Sequence, residues 1–455
     1  MTVVQQAYIK KAGTIVLTVM FLLSAITLVS AQSRRGGLPL VRDAEIEALI
    51  RDYTAPIFKV AGLRRNSVEV FLLNRNEFNA FVTGSRMFIN TGAIMQADTP
   101  NEIIGVFAHE TGHILGGHLT RLRDRIEKAQ SLALLGMLAG IGASVSGNSA
   151  AGSAIISGSQ SVAGRSILAY QRDEELAADR TGATLLAKSG QSGLGMLNTF
   201  KRLGGNSLFS SGSIDPYAVS HPLPRQRIAL LETVVRQSPH FGKTDSAQLQ
   251  LRHDMARAKI AAYAGQVNTL RSIFRKNLNG PAATYGNAIA TFLRGAPNKA
   301  IPAIDRLIKQ QPKNPYLYEM KREMLLKSGK VTPAVKAFEK AVKLEKGKSG
   351  LLRIQLGHAL LETNNSKNID KAIKTLKAGL SRDRYSSNGY GYLARAYAKK
   401  GNQVLAIAAT AEERFLQGRH KEAKQFARRA QPKVKTGSPQ WLRLQDILEY
   451  KSPKK

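Results

Sequence analysis

Apolar and polar positions in the first half of the chain follow two different spacings. The stretch DAEIEALIRDYTAPIFKVAG (43–62) places apolar residues three or four apart, which predicts an amphipathic helix. SVEVFLLN (67–74) and RMFINTGAIM (86–95) are short apolar runs with residues that favour strands. Helical spacing returns at 102–125 and 174–187. These elements together predict an α+β domain.

The segment between the last two predicted helices carries no charge. Residues 131–164 consist largely of Gly, Ala and Ser with a few large apolar side chains. Small residues of this kind let two helices pack closely, and they also suit contact with a membrane. A buried helical hairpin with a flexible Gly/Ser tip is the favoured interpretation, and membrane contact is the alternative.

From residue 246 onward the pattern is helical and repeats. The turns between helices are marked by Gly265, Gly295, Gly329, the Asn364-Asn365 pair and Gly401. They recur about every 34 residues, which is the tetratricopeptide period. Such arrays stack into superhelices whose concave face binds protein. We therefore predict an α+β domain at 32–239 and an all-α, tetratricopeptide-like helical-repeat domain at 240–455.

The first 31 residues predict an export signal. Lys10 and Lys11 supply a positive start, residues 14–31 are apolar, and the small-residue pattern VSA precedes Gln32. An uncleaved membrane anchor is the alternative, because the apolar stretch is just long enough to span a bilayer. Under either interpretation the rest of the chain lies outside the cytoplasm.

The composition is strongly basic and lacks cysteine. The chain of 455 residues has 67 Lys and Arg against 32 Asp and Glu, a formal net charge of +35. This charge favours acidic partners such as an anionic membrane surface, or reflects solvated basic helix faces. No nucleic-acid-binding module is visible, so nucleic acid is not an expected partner. Without cysteine, disulfides are excluded and a metal would need His and carboxylate ligands.

The candidate chemistry begins with VFAHETGHILGGHLTR (106–121), which contains H-E-x-x-H. On a helix His109 and His113 lie four apart on one face, so both imidazoles can bind one zinc ion. Glu110 is placed to reach a water molecule rather than the metal. His118 falls one residue short of the third histidine in the longer H-E-x-x-H-x-x-G-x-x-H pattern. On a continuing helix it would point away, as a surface or packing residue.

The third ligand is therefore expected on the second helix, in QRDEELAADRTGATLLA. Glu175 and Asp179 are four apart and share a face. Glu175 can bind zinc while Asp179 accepts the second ring N–H of a ligand histidine. The alternative is a solvated acidic helix start, since Asp173 and Glu174 suit a helix N-terminus.

H-E-x-x-H followed by E-x-x-A-D resembles the gluzincin metalloproteases related to HtpX and the CAAX prenyl proteases. With the signal segment, AVSHPLPRQRI (218–228) and the repeats, the chain resembles the beta-barrel assembly-enhancing protease (BepA) family. The resemblance implies a periplasmic zinc endopeptidase and chaperone acting on outer-membrane proteins that fail to assemble, together with their assembly machinery. It also implies that residues 76–94 contain an edge strand where substrate adds, and that His221 is a further metal-site residue. The Gly116-Gly117 pair has no explanation in this resemblance.

The sequence thus predicts a gluzincin-type domain with one zinc per chain, bound by His109, His113 and Glu175. Glu110 would act as the general base. His221 is expected either to bind the zinc as a fourth ligand that closes the site or to stabilise the oxyanion. The alternative function is a repeat-scaffold holdase chaperone whose zinc domain is dormant.

Overall fold

The structure is a computed structural model that describes residues 38–64, 67–146, 148–209, 217, 220–222, 224–346, 348–363 and 365–451. The described residues from Val41 onward cluster as one compact unit. The predicted export signal, residues 1–31, lies outside the described residues.

A small sheet forms the β part of the fold. Its strands are β1 (Leu40–Val41), β2 (Glu69–Leu73), β3 (Ala80–Thr83) and β4 (Arg86–Asn90). Their order is β1-β2-β4-β3, with β2 parallel and β3 antiparallel to β4. The run predicted as one strand at 86–95 divides instead, because β4 ends at Asn90 and a short helix follows. β3 lies at the edge of the sheet, within the segment that the resemblance singled out.

Seven helices accompany the sheet in the first half of the described chain. They are α1 (Ala44–Val60), α2 (Thr91–Gln96), α3 (Pro100–Gly116), α4 (His118–Val145), α5 (Ser149–Lys188), α6 (Leu194–Phe209) and α7 (Arg225–Arg236). Every residue of α3 from Pro100 to His113 is buried. Close packing depends on glycine: a Cβ at Gly112 would lie 2.7 Å from the carbonyl oxygen of Ala178. The histidine helix and the acidic helix α5 therefore cross almost in contact.

The helix predicted at 102–125 is interrupted, which corrects one expectation. Gly117 has φ of 63°, a left-handed conformation that glycine adopts without a Cβ clash, so α3 ends and α4 starts in a new direction. The change of direction turns His118 inward, and this residue is buried. The prediction that His118 points to the far side of the helix was wrong, because it assumed a continuous helix; of the two alternatives, surface or packing residue, the structure shows the packing residue.

Helices α4 and α5 form a long antiparallel hairpin. Its uncharged part is mostly exposed rather than buried: Leu135 is 64% exposed and Val145 83%. The expectation of a buried hairpin was therefore wrong, because no other described element covers it. Among the described residues, α4 is the one helix long and apolar enough by composition to cross a membrane.

The second half is built of helical hairpins. Its helices are α8 (Ala247–Tyr263), α9 (Val267–Ile273), α10 (Pro281–Leu293), α11 (Pro297–Gln310), α12 (Pro315–Lys327), α13 (Val331–Leu344), α14 (Gly350–Leu361), α15 (Lys367–Leu380), α16 (Ser387–Lys399), α17 (Gln403–Leu416), α18 (His420–Ala430) and α19 (Pro439–Glu449), with a 3₁₀ turn at Gln431–Lys433. Gly265, Gly295, Gly329 and Gly401 join the two helices of successive hairpins with φ between 71° and 84°. The turns predicted at these glycines are confirmed.

The two halves share buried contacts through α8. The ammonium group of Lys259 lies 2.7 Å from Asp43 and 3.2 Å from Glu45, and Tyr285 donates a 2.9 Å hydrogen bond to Glu45. One hydrophobic cluster runs without interruption from Ile46 in α1 to Met324 in α12. The first repeat helices therefore belong to the same core as the sheet and α3. The boundary at 239–240 stays a prediction.

Candidate metal centre

The site is centred on the buried face of α3. His109 is fully buried and His113 is 9% exposed, and their Nε2 atoms lie 3.0 Å apart. This is the arrangement that a four-residue spacing produces on one helix. Two imidazole nitrogens thus point toward a common position inside the protein.

Two further side chains reach the same position from other elements. Glu175 extends from α5, with carboxylate oxygens 3.4 Å from Nε2 of both His109 and His113. His221 comes from the segment that precedes α7, and its Nδ1 lies 3.0 Å from Glu175 and 3.3 Å from Nε2 of His109. One donor atom from each of these four buried residues lies within 4.8 Å of the others.

The donor set fits a tetrahedral metal ion. His nitrogens and carboxylate oxygens bind zinc at about 2.0 to 2.2 Å, so neighbouring donors in a tetrahedral site are roughly 3.3 to 3.6 Å apart. The contacts of 3.0 to 3.4 Å in this cluster are close to that range. Nε2 of His109 faces three such atoms, although one ring nitrogen can make only one good hydrogen bond. Convergence of this kind is typical of a metal site.

Glu110 lies beside the donors without joining them. It is fully buried, and neither carboxylate oxygen has a hydrogen-bond partner among the described residues. Its Oε1 is 3.5 Å from Nε2 of His221. Burial raises the pKa of Glu110. A carboxylate held in this way can accept a proton from a water molecule, which is the role predicted for it.

Asp179 and Arg227 contact His109 and Glu175 without belonging to the donor set. Oδ1 of Asp179 lies 2.9 Å from Nδ1 of His109, so it can accept the N–H of that ring while Nε2 faces the donors. The guanidinium of Arg227 donates to Asp179 at 2.5 and 2.9 Å and lies 2.8 Å from Glu175. Burial alone would raise the pKa of Asp179, but the hydrogen bond from Arg227 keeps it below its usual value.

His113 has a different support, formed by His118 and Glu174. The Nδ1 atoms of His113 and His118 are 2.9 Å apart, and Nε2 of His118 lies 2.6 Å from Glu174. Burial lowers the pKa of His118. A neutral His118 can therefore accept the N–H of His113 and donate its own N–H to the carboxylate. The left-handed residue Gly117 makes this contact possible.

The two histidines of α3 have opposite titration behaviour. Burial alone would lower the pKa of His109, but hydrogen bonds with Asp179 and Glu175 raise it to about 9. Burial and the neighbouring His109 lower the pKa of His113 to about 2. A proton and a metal ion therefore compete for Nε2 of His109, as they do at most histidine ligands.

The part of the chain that carries this site is similar to a known protein family. Residues 40–235 match the model of peptidase family M48, and that region contains the sheet, both helices of the H-E-x-x-H site and His221. This match supports the expectation of a metalloprotease.

Full-length relatives carry a more specific name. The chain is 25% identical over 427 residues to the beta-barrel assembly-enhancing protease of Escherichia coli strain K12, covering 90% of this chain and 83% of the relative. The protein of the same name from Yersinia pestis is 26% identical over 416 residues, covering 89% and 83%. The resemblance inferred from the motifs is confirmed.

Solved structures are similar to part of the chain. A crystal structure of MamA covers 37% of this chain and 94% of its own, at 14% identity and a TM-score of 0.30. YrrB, titled a TPR protein with an unusual peptide-binding site, covers 38% and 89%, at 18% identity and a TM-score of 0.31. The predicted fold class, an α+β domain followed by an all-α domain of helical hairpins, is confirmed by the elements of the chain itself.

Proposed function

We propose that the protein is a zinc-dependent endopeptidase, exported to the periplasm, that degrades or chaperones misassembled outer-membrane proteins. The observation that supports it best is the buried convergence of His109, His113 and Glu175, with the unpaired carboxylate of Glu110 beside them. When bound, the metal would supply Lewis acidity toward water and the scissile carbonyl. The substrate class rests on the names of the relatives.

The protein's own residues divide the catalytic work. Glu110 takes a proton from the attacking water and later passes it to the leaving amine. Its burial disfavours the charged form, so it readily carries that proton between the two steps. Asp179 and Arg227 fix the ring of His109, and His118 fixes that of His113. Rigid rings keep the ligand nitrogens converged on one point.

An extended peptide binds along the free edge of the sheet. β3 pairs with β4 on one side only among the described residues, and it packs against α3, the helix that carries the site. Strand addition at such an edge supplies main-chain hydrogen bonds with little demand on sequence. This mode suits a protease that acts on unfolded segments of many different proteins.

His221 closes the site. With a metal bound, its Nδ1 would be the fourth protein donor, at the position that a catalytic site keeps open for water. The segment that carries His221 would have to move before cleavage begins. The rival role is a donor to the oxyanion of the transition state, which requires His221 near the reacting carbonyl rather than on the metal. The two roles predict opposite effects of removing the ring.

The helical repeats recruit the partner. Stacked hairpins present a large curved surface, whereas the metal site accommodates only a short extended segment. The second candidate function, a holdase chaperone with a dormant metal site, shares this recruiting role. It differs only in whether captured chains are cut.

One experiment separates the two functions. Purified protein is analysed for metal and incubated with an unfolded β-barrel protein, with and without chelator. We expect roughly one zinc per chain and cleavage that the chelator stops. Glu110→Gln should keep the metal and partner binding but lower cleavage by a factor of a hundred or more. Glu69→Gln, which changes an exposed carboxylate of the same domain, is the matched control. Metal-loaded wild type that captures but never cuts the substrate would favour the holdase.

A further inference from the structure

The exposed hairpin of α4 and α5 is unexplained by proteolysis. It protrudes from the site, since α4 begins at His118, and residues 131–164 at its far end carry no charge. Ten large apolar side chains on it are exposed: Leu132, Leu134, Leu135, Met137, Leu138, Ile141, Val145, Ile155, Val162 and Leu168. No similar concentration of exposed apolar side chains occurs elsewhere among the described residues, and a patch of this kind marks an interaction site.

The two helices are joined by small residues rather than by a core of large side chains. A Cβ at Gly136 would lie 2.2 Å from Ser159, and one at Gly140 would lie 2.6 Å from the carbonyl oxygen of Gly152. Gly136 and Gly140 are four apart and form a G-x-x-x-G pattern, which lets helix backbones approach closely inside membranes. Small side chains, together with Ile156, take up the inner face, and most of the large apolar side chains point outward.

The outward side chains of α4 form a continuous stripe. Leu134, Leu138, Ile141 and Val145 recur at three- and four-residue intervals and are 48% to 83% exposed. Leu135 borders the same stripe. Residues 131–141 lie inside α4, where backbone N–H and C=O groups bond to one another, so an apolar medium could cover this part of the helix without leaving such groups unpaired.

The charged residues lie at one end of the hairpin, and they do not form one face of it. The distal half carries no charge on any face, whereas the base carries Arg121, Arg123, Arg125 and Lys128 on α4 and Arg165 and Arg172 on α5. Its acidic residues are fewer, and Glu174 is engaged by His118 and Arg121. Tyr170 lies at the same level, with the guanidinium of Arg125 5.1 Å from its ring centroid. Basic and aromatic side chains at one level are typical of residues at a lipid headgroup layer.

We propose that this hairpin docks the protein on an anionic lipid bilayer. The apolar stripe of α4 enters the acyl region of one leaflet, and the basic base of the hairpin contacts the headgroups. The uncharged part of α4, 131–145, is about 22 Å long, and a bilayer-spanning helix of about 20 residues would also have to bury Glu127 and Lys128. The hairpin therefore enters at a tilt, which keeps this length within the roughly 15 Å of one leaflet, and does not cross the bilayer. A surface that docks a protein partner would instead have apolar residues on one face of the hairpin and charged residues on the other.

Vesicle binding tests the proposal with the exported full-length protein. Co-sedimentation is measured with vesicles containing phosphatidylglycerol and with vesicles of phosphatidylcholine alone. We expect binding to the anionic vesicles to fall at least tenfold in the triple variant Leu135→Ser, Leu138→Ser and Ile141→Ser. The matched control, Leu230→Ser, Leu278→Ser and Leu293→Ser, removes three leucines elsewhere that are 41% to 52% exposed and should bind like wild type. The apolar N-terminal segment, residues 14–31, is the same in both triple variants, so its contribution to vesicle binding cancels.

The absence of cysteine allows a local readout in the same protein. An environment-sensitive fluorophore on Leu138→Cys should shift to the blue with anionic vesicles, and one on Leu278→Cys should not. Equal vesicle binding by the two triple variants would overturn the proposal. A blue shift at position 138 that an unfolded β-barrel protein produces without vesicles would also overturn it, because the stripe would then bind a substrate protein. A shift that depends only on the concentration of the protein would overturn it as well, because the stripe would then bind a second copy of the chain. None of these readouts depends on peptide cleavage.

Discussion

His118 should control how tightly the metal is held, although it does not contact the metal itself. With Nε2 of His113 directed at the metal, its Nδ1 carries a proton and donates to His118, which in turn donates to Glu174. In His118→Ala the N–H of a buried ring loses its acceptor, and the ring is free to rotate. Loss of such a supporting partner weakens metal binding about 10- to 100-fold, which corresponds to about 1.4 to 2.7 kcal/mol.

The assay is a competition titration with a chromogenic zinc chelator, followed by thermal unfolding of the metal-free and metal-loaded proteins. We expect a zinc Kd raised 10- to 100-fold for His118→Ala and a smaller rise for Glu174→Gln, which keeps an acceptor oxygen. Thr120→Ala, an exposed substitution on the same turn of α4, is the control and should keep the wild-type Kd.

A purely structural role of His118 predicts a different result. In that case both forms of the protein would unfold at lower temperature by the same amount, and the zinc Kd would stay within twofold of wild type. That outcome would refute the reasoning, because the support of His113 would then contribute nothing to metal binding.

Three further predictions concern the ion pair of Arg227 with Asp179, the role of His221 and the pKa of His253. Arg227→Met should lower the free energy of unfolding by about 3 to 5 kcal/mol in urea titrations, since it leaves Asp179 buried without its counter-charge. His221→Ala should raise cleavage of an unfolded substrate if the ring closes the site; a hundredfold drop at unchanged zinc content would support the oxyanion role. Burial lowers the pKa of His253 to about 4, so stability should fall by up to about 3 kcal/mol between pH 6.5 and 4, and His253→Gln should flatten that dependence.

Local spacing predicted the parts of the site that lie on one helix. The four-residue intervals of His109 with His113 and of Glu175 with Asp179 place each pair on one face, and the structure brings both faces together. His221 required the resemblance, because nothing in a loop sequence fixes where a ring will point. These site assignments stay predictions until metal binding is measured.

The residues that sequence reasoning missed depend on contacts between distant segments. Arg227 meets Asp179 across 48 positions of the chain, and no periodicity connects a helix start to the middle of another helix. His118 was misplaced because Gly117 was not recognised as a helix end. The Gly116-Gly117 pair was the available signal, since glycine at the end of an apolar helical run favours a left-handed cap. The adjacent His118 would then have been a candidate.

The hairpin illustrates a different limit. Periodicity identified two helices and the absence of charge between them, but apolar composition alone does not distinguish a buried segment from an exposed one. The close approach of Gly136 and Gly140 to the opposite helix decides the matter, because it fills the inner face with small residues. That arrangement becomes visible only when both helices are placed together.

Helix α8 of the repeats contacts the segments that flank the histidine helix α3. Nε2 of His253 donates a hydrogen bond to the carbonyl group of Ala97, just before α3, and its Nδ1 accepts one from the hydroxyl group of Tyr53 in α1. Arg257 of the same helix binds the carbonyl oxygen of Met95 and the carboxylate of Asp98. Removing all repeats would therefore expose the core beneath the histidine helix and disturb the site itself. A partner bound at the repeats could act on the site through these contacts, so the recruiting role is better separated from catalysis by substitutions on the repeat surface than by deletion.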